Sequence, residues 1–196
     1  MRLLLTLAII SATVPAFAVA DPVTPPDAVR VDPSRQRRVR TQDPRIRQAL
    51  TDGAARSAAF RDVLGRVESR DVIVYVEMQL DLRGRLAGTM RWVAATREAR
   101  YVRVALNPEL SGNMLIATLG HELEHVAEVG ETPSVVDEPT LASLYRDVGT
   151  EVRVGSGAWD TEAAQLTGEA VRRELAANST ADQQIALASR TRFERQ

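Results

Sequence analysis

The sequence predicts an α+β fold in which a three-stranded antiparallel meander packs against a long helix, with further helices flanking both. Three observations carry this. Apolar residues occupy every second position from Val72 to Leu82, and alternation recurs in the two segments that follow. Leu115, Leu119, Leu123 and Val126 then recur at helical spacing. The connections between the three alternating segments are short, as hairpins require.

In chain order, Ile46 to about Val67 reads as a helix whose apolar face comprises Ile46, Leu50, Ala54, Phe60, Val63 and Leu64, with Asp52-Gly53 as the place where it splits. Val72, Val74, Val76, Met78, Leu80 and Leu82 form the buried side of the first strand. Arg83-Gly84-Arg85 makes a turn, and Leu86, Met90, Trp92 and Ala94 alternate along the second strand. Thr96 to Arg100 is a polar turn before a third strand, Tyr101 to Leu106, with Val102, Val104 and Leu106 inward. Asn107-Pro108 ends the meander. Ser111 or Asn113 caps the long helix. Gly130 to Pro139 is a loop, Pro139 to about Val148 a short helix, and the stretch punctuated by Gly149, Gly155 and Gly157 a second loop. A last helix runs from about Asp160 to Ala177, followed by a polar tail with a weakly periodic stretch around Ile185 and Leu187.

The ends of the chain read differently from its middle. Arg2, the apolar run Leu3 to Ile10 and the small residues at Ala16, Ala18 and Ala20 have the order of a signal peptide at 1–20, cleaved after Ala20. The apolar run is too short for a membrane anchor and is interrupted by Ser11, Thr13 and Pro15. The expectation is therefore an exported bacterial protein, periplasmic or secreted. Residues 21–45 form a flexible leader rich in proline and arginine, able to touch anionic surfaces weakly. Residues 46–178 make a single domain, and 179–196 the polar tail. A formal net charge of −1 gives no steering toward nucleic acid. Without cysteine, neither a disulfide nor a thiolate metal site can form. Any metal must take imidazole and carboxylate ligands, which suits catalytic zinc.

Both histidines of the chain lie in one pentapeptide, His121-Glu122-Leu123-Glu124-His125. On a helix, residues four apart stack on one face, so the two imidazoles can share a metal ion. Met114, Thr118, His121, His125 and Glu128 fall opposite the apolar stripe, toward a cleft. Glu122 sits about 100° round from His121, where a carboxylate can take a proton from metal-activated water. Glu124 points away from the metal, to solvent or a salt bridge, and Glu128 is placed to hydrogen-bond a ligand imidazole.

Helix, antiparallel sheet, HExxH helix and a later helix with an acidic residue is a layout that resembles the zincin metallopeptidases. The resemblance covers roughly Arg70 to Leu175. In sequence it rests on the pentapeptide and on Trp159-Asp160-Thr161-Glu162-Ala163-Ala164. The chain is also similar to a set of small exported bacterial proteins with a HELxH helix. The metzincin form of the motif has a glycine and a third histidine where this chain has Glu128 and Glu131. The gluzincin form fits better: it implies a third ligand at Asp160, although aspartate replaces glutamate and Ala164 replaces the usual acidic neighbour. Glu162 is the alternative ligand, and capping of the last helix by Asp160 or Thr161 is a third reading. Tyr145 and Arg146 are candidate donors to a reaction oxyanion.

The expected function is an exported zinc-dependent peptidase, with Zn2+ on His121, His125 and Asp160 or Glu162, and Glu122 as general base. A peptide or protein is the substrate, bound by strand addition along the meander edge at Tyr101 to Leu106. The alternative is a non-catalytic zincin-shaped binding module of the cell envelope.

Overall fold

In the computed structural model, residues 37–82, 86–152 and 158–193 are described, with side chains as far as 179. The expected signal peptide, most of the expected leader and the Arg83-Gly84-Arg85 turn lie outside these residues.

The leader gives way to structure earlier than its composition implies. Val39–Arg40 is a short strand, β1. The helix α1, Pro44–Arg56, starts with Asp43 accepting the Arg45 and Ile46 N–H groups and proline in the first turn. The break after α1 falls at Ser57 and not at Asp52-Gly53. Ser57 caps α2, Ala58–Glu68, by accepting the Phe60 N–H at 3.0 Å, and donates its own proton to Glu174 at 2.8 Å. Gly53 stays inside α1 because its missing side chain lets Phe60 and Ile116 come close: a Cβ there would lie 2.8 and 2.9 Å from them.

β2, Val72–Met78, is followed by a single 3-10 turn at Leu80–Leu82, so the expected strand ends sooner. β3, Gly88–Ala95, and β4, Arg100–Leu106, form the expected hairpin, closed by Thr96. The expected meander is otherwise overturned. Sheet order is β1-β2-β4-β3, with β1 and β4 both parallel to β2 and only β3–β4 antiparallel. The segment after β2 carries the chain past β4's place, so β4 inserts between β2 and β3. Tyr101 to Leu106 is therefore an interior strand; the edges are the two-residue β1 and the longer β3, whose pairing is irregular between Trp92 and Ala94.

One face of this mixed sheet, with Val72, Val74, Val76, Val102, Val104 and Leu106, packs on α3, Gly112–Glu131. The apolar stripe of α3 is buried as its spacing implies, Leu119, Leu123 and Val126 at 0 % exposure. Each such side chain contributes about 1.5–3 kcal/mol through burial. α1 and α2 cover α3 through Ile46 and Phe60. The helix α4, Glu138–Val148, opens with a capping box between Asp137 and Thr140. A hairpin of β5, Gly149–Glu151, and β6, Trp159–Thr161, then replaces the expected loop. α5, Glu162–Phe193, runs well past the expected end at Ala177 and packs on α3 through Val171 and Leu175. No helix among the described residues is long and apolar enough to cross a membrane.

Candidate metal centre

Four residues apart on α3, His121 and His125 stand edge to face with ring centroids 5.0 Å apart. Asp160 reaches them from β6, its Oδ1 lying 3.4 Å from His121 Nε2 and 3.6 Å from His125 Nε2. One donor atom from each of the three lies within 4.8 Å of the others, a spacing that a single small cation can bridge. Two nitrogens and one carboxylate oxygen are a donor set of the kind that divalent transition metals, zinc among them, take. The Thr161 N–H and the Gln165 amide hold the Asp160 carboxylate, at 2.8 and 3.1 Å.

Behind the rings, Glu128 Oε2 lies 3.0 Å from His125 Nδ1. A proton on Nδ1 donated to this carboxylate leaves the Nε2 lone pair facing His121 and Asp160. Thr161 secures Glu128 in turn, donating from Oγ1 to Oε1 at 2.5 Å while accepting the Ala164 N–H at 3.1 Å. One hydroxyl thus starts α5 and steadies the carboxylate behind His125.

Glu122 is 4 % exposed, and its carboxylate lies against the backbone of Gly88 at the start of β3. Burial pushes its pKa up to about 7, with the His125 charge opposing. Burial also lowers the His121 pKa, assisted by the neighbouring His125. For His125, burial is outweighed by the Asp160 and Glu128 carboxylates, which raise it to about 9. For Asp160, burial is likewise outweighed, here by the His125 ring, the Gln165 amide and the charge of both imidazoles, and it falls to about 2.

These groups open onto a cleft of about 930 Å³. The start of β3 forms one wall and α5, through Gln165, Gly168 and Arg172, another. Gly168 allows the second wall to close in, since a Cβ there would lie 3.1 Å from His121 Cβ.

Of the residues singled out from sequence, His121, His125, Asp160 and Glu122 come together, with Glu128 behind them. Glu162 is exposed and stands outside the cluster. Capping of α5 falls to Thr161, which leaves Asp160 free to face the rings. Tyr145 is buried edge-on against His125, and its hydroxyl turns to the His125 carbonyl at 3.4 Å. Burial raises its pKa well above the ordinary value. Arg146 is exposed and bonds its own helix at the Ala142 carbonyl. Glu124 is buried, not solvated: Arg66 Nη1 grips both its oxygens, at 2.7 and 2.9 Å, and Thr167 of α5 donates to it. Sequence reasoning missed the Thr161–Glu128 link, Gln165, Gly88 and Arg172. Of these, only the two ends of that link had left a trace, Thr161 as a possible helix cap and Glu128 as a partner for a ligand imidazole.

No family model, curated protein or solved structure matches the chain.

Proposed function

We propose that the chain is a zinc-dependent peptidase of minimal zincin type, held together by His121, His125 and Asp160. The observation that carries this reading is the convergence of those three side chains, at one cleft, with a buried carboxylate one residue from the first histidine. When bound, zinc supplies Lewis acidity, which polarises a carbonyl and eases deprotonation of water. Glu122 provides the proton relay: its buried carboxylate, one residue from His121 on the same helix, takes a proton from water and returns it to a leaving amine. Glu128 keeps His125 oriented, and Gln165 keeps Asp160 oriented.

The substrate in this reading is an extended peptide laid along β3, whose outer side pairs with no strand among the described residues. Export follows from the signal-peptide pattern at 1–20, and the basic leader is a candidate contact for anionic surfaces.

A non-catalytic binding module draws support from one observation: the Tyr145 hydroxyl is already engaged, donating to the His125 backbone carbonyl at 3.4 Å. The experiment that decides is elemental analysis of the mature chain beside His121→Ala, followed by a peptide-cleavage screen with Glu122→Gln. About one zinc per chain, lost in His121→Ala, with cleavage abolished and zinc retained in Glu122→Gln, supports the peptidase. Zinc retained and no cleavage by either form supports the binding module. No zinc after loading at neutral pH overturns the metal centre.

A further inference from the structure

We infer that Gly88 is the positioning residue for the Glu122 carboxylate: β3 runs without a side chain over Glu122, and its backbone fixes where the carboxylate sits. As a role in catalysis this rests on the peptidase reading; as a contact it stands on geometry alone. A Cβ at Gly88 would lie 2.5 Å from Glu122 Oε1 and 2.9 Å from both Cδ and Cγ. Real side chains do not approach so closely, so any residue but glycine must displace one partner.

The two partners are unequally free to move. Gly88 is registered against Leu106 of β4. The chain entering it is pinned by Asn107, whose amide donates to the carbonyls of Leu82 and Leu86 at 3.1 and 3.2 Å and whose N–H donates to Ala87 at 2.9 Å. Glu122, by contrast, meets Gly88 with its side chain from Cγ to Oε1, which can turn about its own torsions. The carboxylate therefore yields before the strand does. The three atoms nearest that Cβ all belong to Glu122 and none to His121, His125 or Asp160, so the first effect of the added methyl falls on the base.

The test is Gly88→Ala in the full chain, read in two ways. In the zinc-loaded protein, kcat falls about a hundredfold, as for a reacting group moved by about 1 Å. KM and zinc content stay close to the parent's. Glu122→Asp, which withdraws the carboxylate by one methylene, then removes most of the additional cost of Gly88→Ala. In the metal-free protein, Gly88→Ala lowers Tm in the parent but not in Glu122→Ala, where the methyl enters vacated space. An equal fall of Tm in both backgrounds, or Gly88→Ala with parental kcat, overturns the assignment. The melting comparison holds whether or not the parent cleaves peptides, so loss of the peptidase reading and loss of the Gly88 contact give different results.

Discussion

The guanidinium of Arg100 is buried at the end of α3 and donates to the Val129 carbonyl at 2.7 Å. The same group also donates to Thr132 and Gly130, at 2.8 and 3.2 Å, and pairs with Asp71. The last turn of the helix that carries both histidines is thus closed from β4 by an arginine and not by a glycine cap.

Replacing Arg100 by methionine keeps the apolar stem but takes the guanidinium donor from the Gly130 carbonyl and one of two donors from the Val129 and Thr132 carbonyls, which keep the Thr132 and Val135 N–H groups. The expected loss is about 3 kcal/mol, measured by chemical denaturation. Asp71→Asn tests the other side of the pair. Arg100 holds the Asp71 carboxyl below its usual range, but Asp71 is 55 % exposed, so water replaces much of what is lost. Its expected cost is below about 1 kcal/mol. A larger cost for Asp71→Asn than for Arg100→Met contradicts the assignment of the stabilisation to the carbonyls.

Thr161→Val removes one hydroxyl from two tasks. Without the bond to Glu128, His125 loses part of its orientation, and zinc affinity falls about tenfold to a hundredfold in a chelator competition. Without the cap on Ala164, stability falls by about 1 kcal/mol. Glu128→Gln reproduces the first effect and not the second. If Thr161→Val changes stability alone, the hydroxyl serves the helix and has no bearing on the metal.

Protons compete with metal at His125. In the metal-free protein its pKa is raised to about 9, so at neutral pH a cation must expel a proton before binding. Zinc affinity accordingly rises with pH, about tenfold per unit where one proton is displaced, and levels off above about 9. The sign is opposite for stability of the metal-free fold. A raised histidine pKa stabilises fully below its unfolded value of 6.5, and this contribution is lost as pH rises through about 9. Zinc titrations and metal-free melting curves across that range check both slopes.

The parts of this architecture written in local periodicity were legible. Val102, Val104 and Leu106 point inward as their alternation implies, and the stripe of α3 is buried. Strand order was not legible, because alternation tells which side of a strand is buried and nothing about which strand lies beside it. β2 and β4 pair in parallel although β3 separates them in sequence. The histidine pair was legible because four residues is one helical turn. Its third partner was narrowed to Asp160 or Glu162, with Asp160 the better fit by resemblance, and periodicity could not choose between them, because the two flank the boundary where β6 becomes α5. Arg100 was read as part of a polar turn, and only the end of α3 thirty residues on gives it a buried partner.

Gly53 and Gly65 show the same gap between local and tertiary reading, and their substitution measures it. Both lie inside helices, where alanine is favoured over glycine by about 0.5–1 kcal/mol. A Cβ at Gly65 meets nothing within 4 Å, so Gly65→Ala realises that gain and raises Tm. At Gly53 the Cβ would lie 2.8 Å from Phe60 and 2.9 Å from Ile116, both buried, and neither can withdraw without disturbing the core. Overpacking of this kind costs about 1–3 kcal/mol, more than the helix gains, so Gly53→Ala lowers Tm. Phe60→Leu in the same chain relieves much of the clash and brings the cost of Gly53→Ala down. Were Gly53→Ala to stabilise as Gly65→Ala does, α1 would not rest on α3 through this glycine.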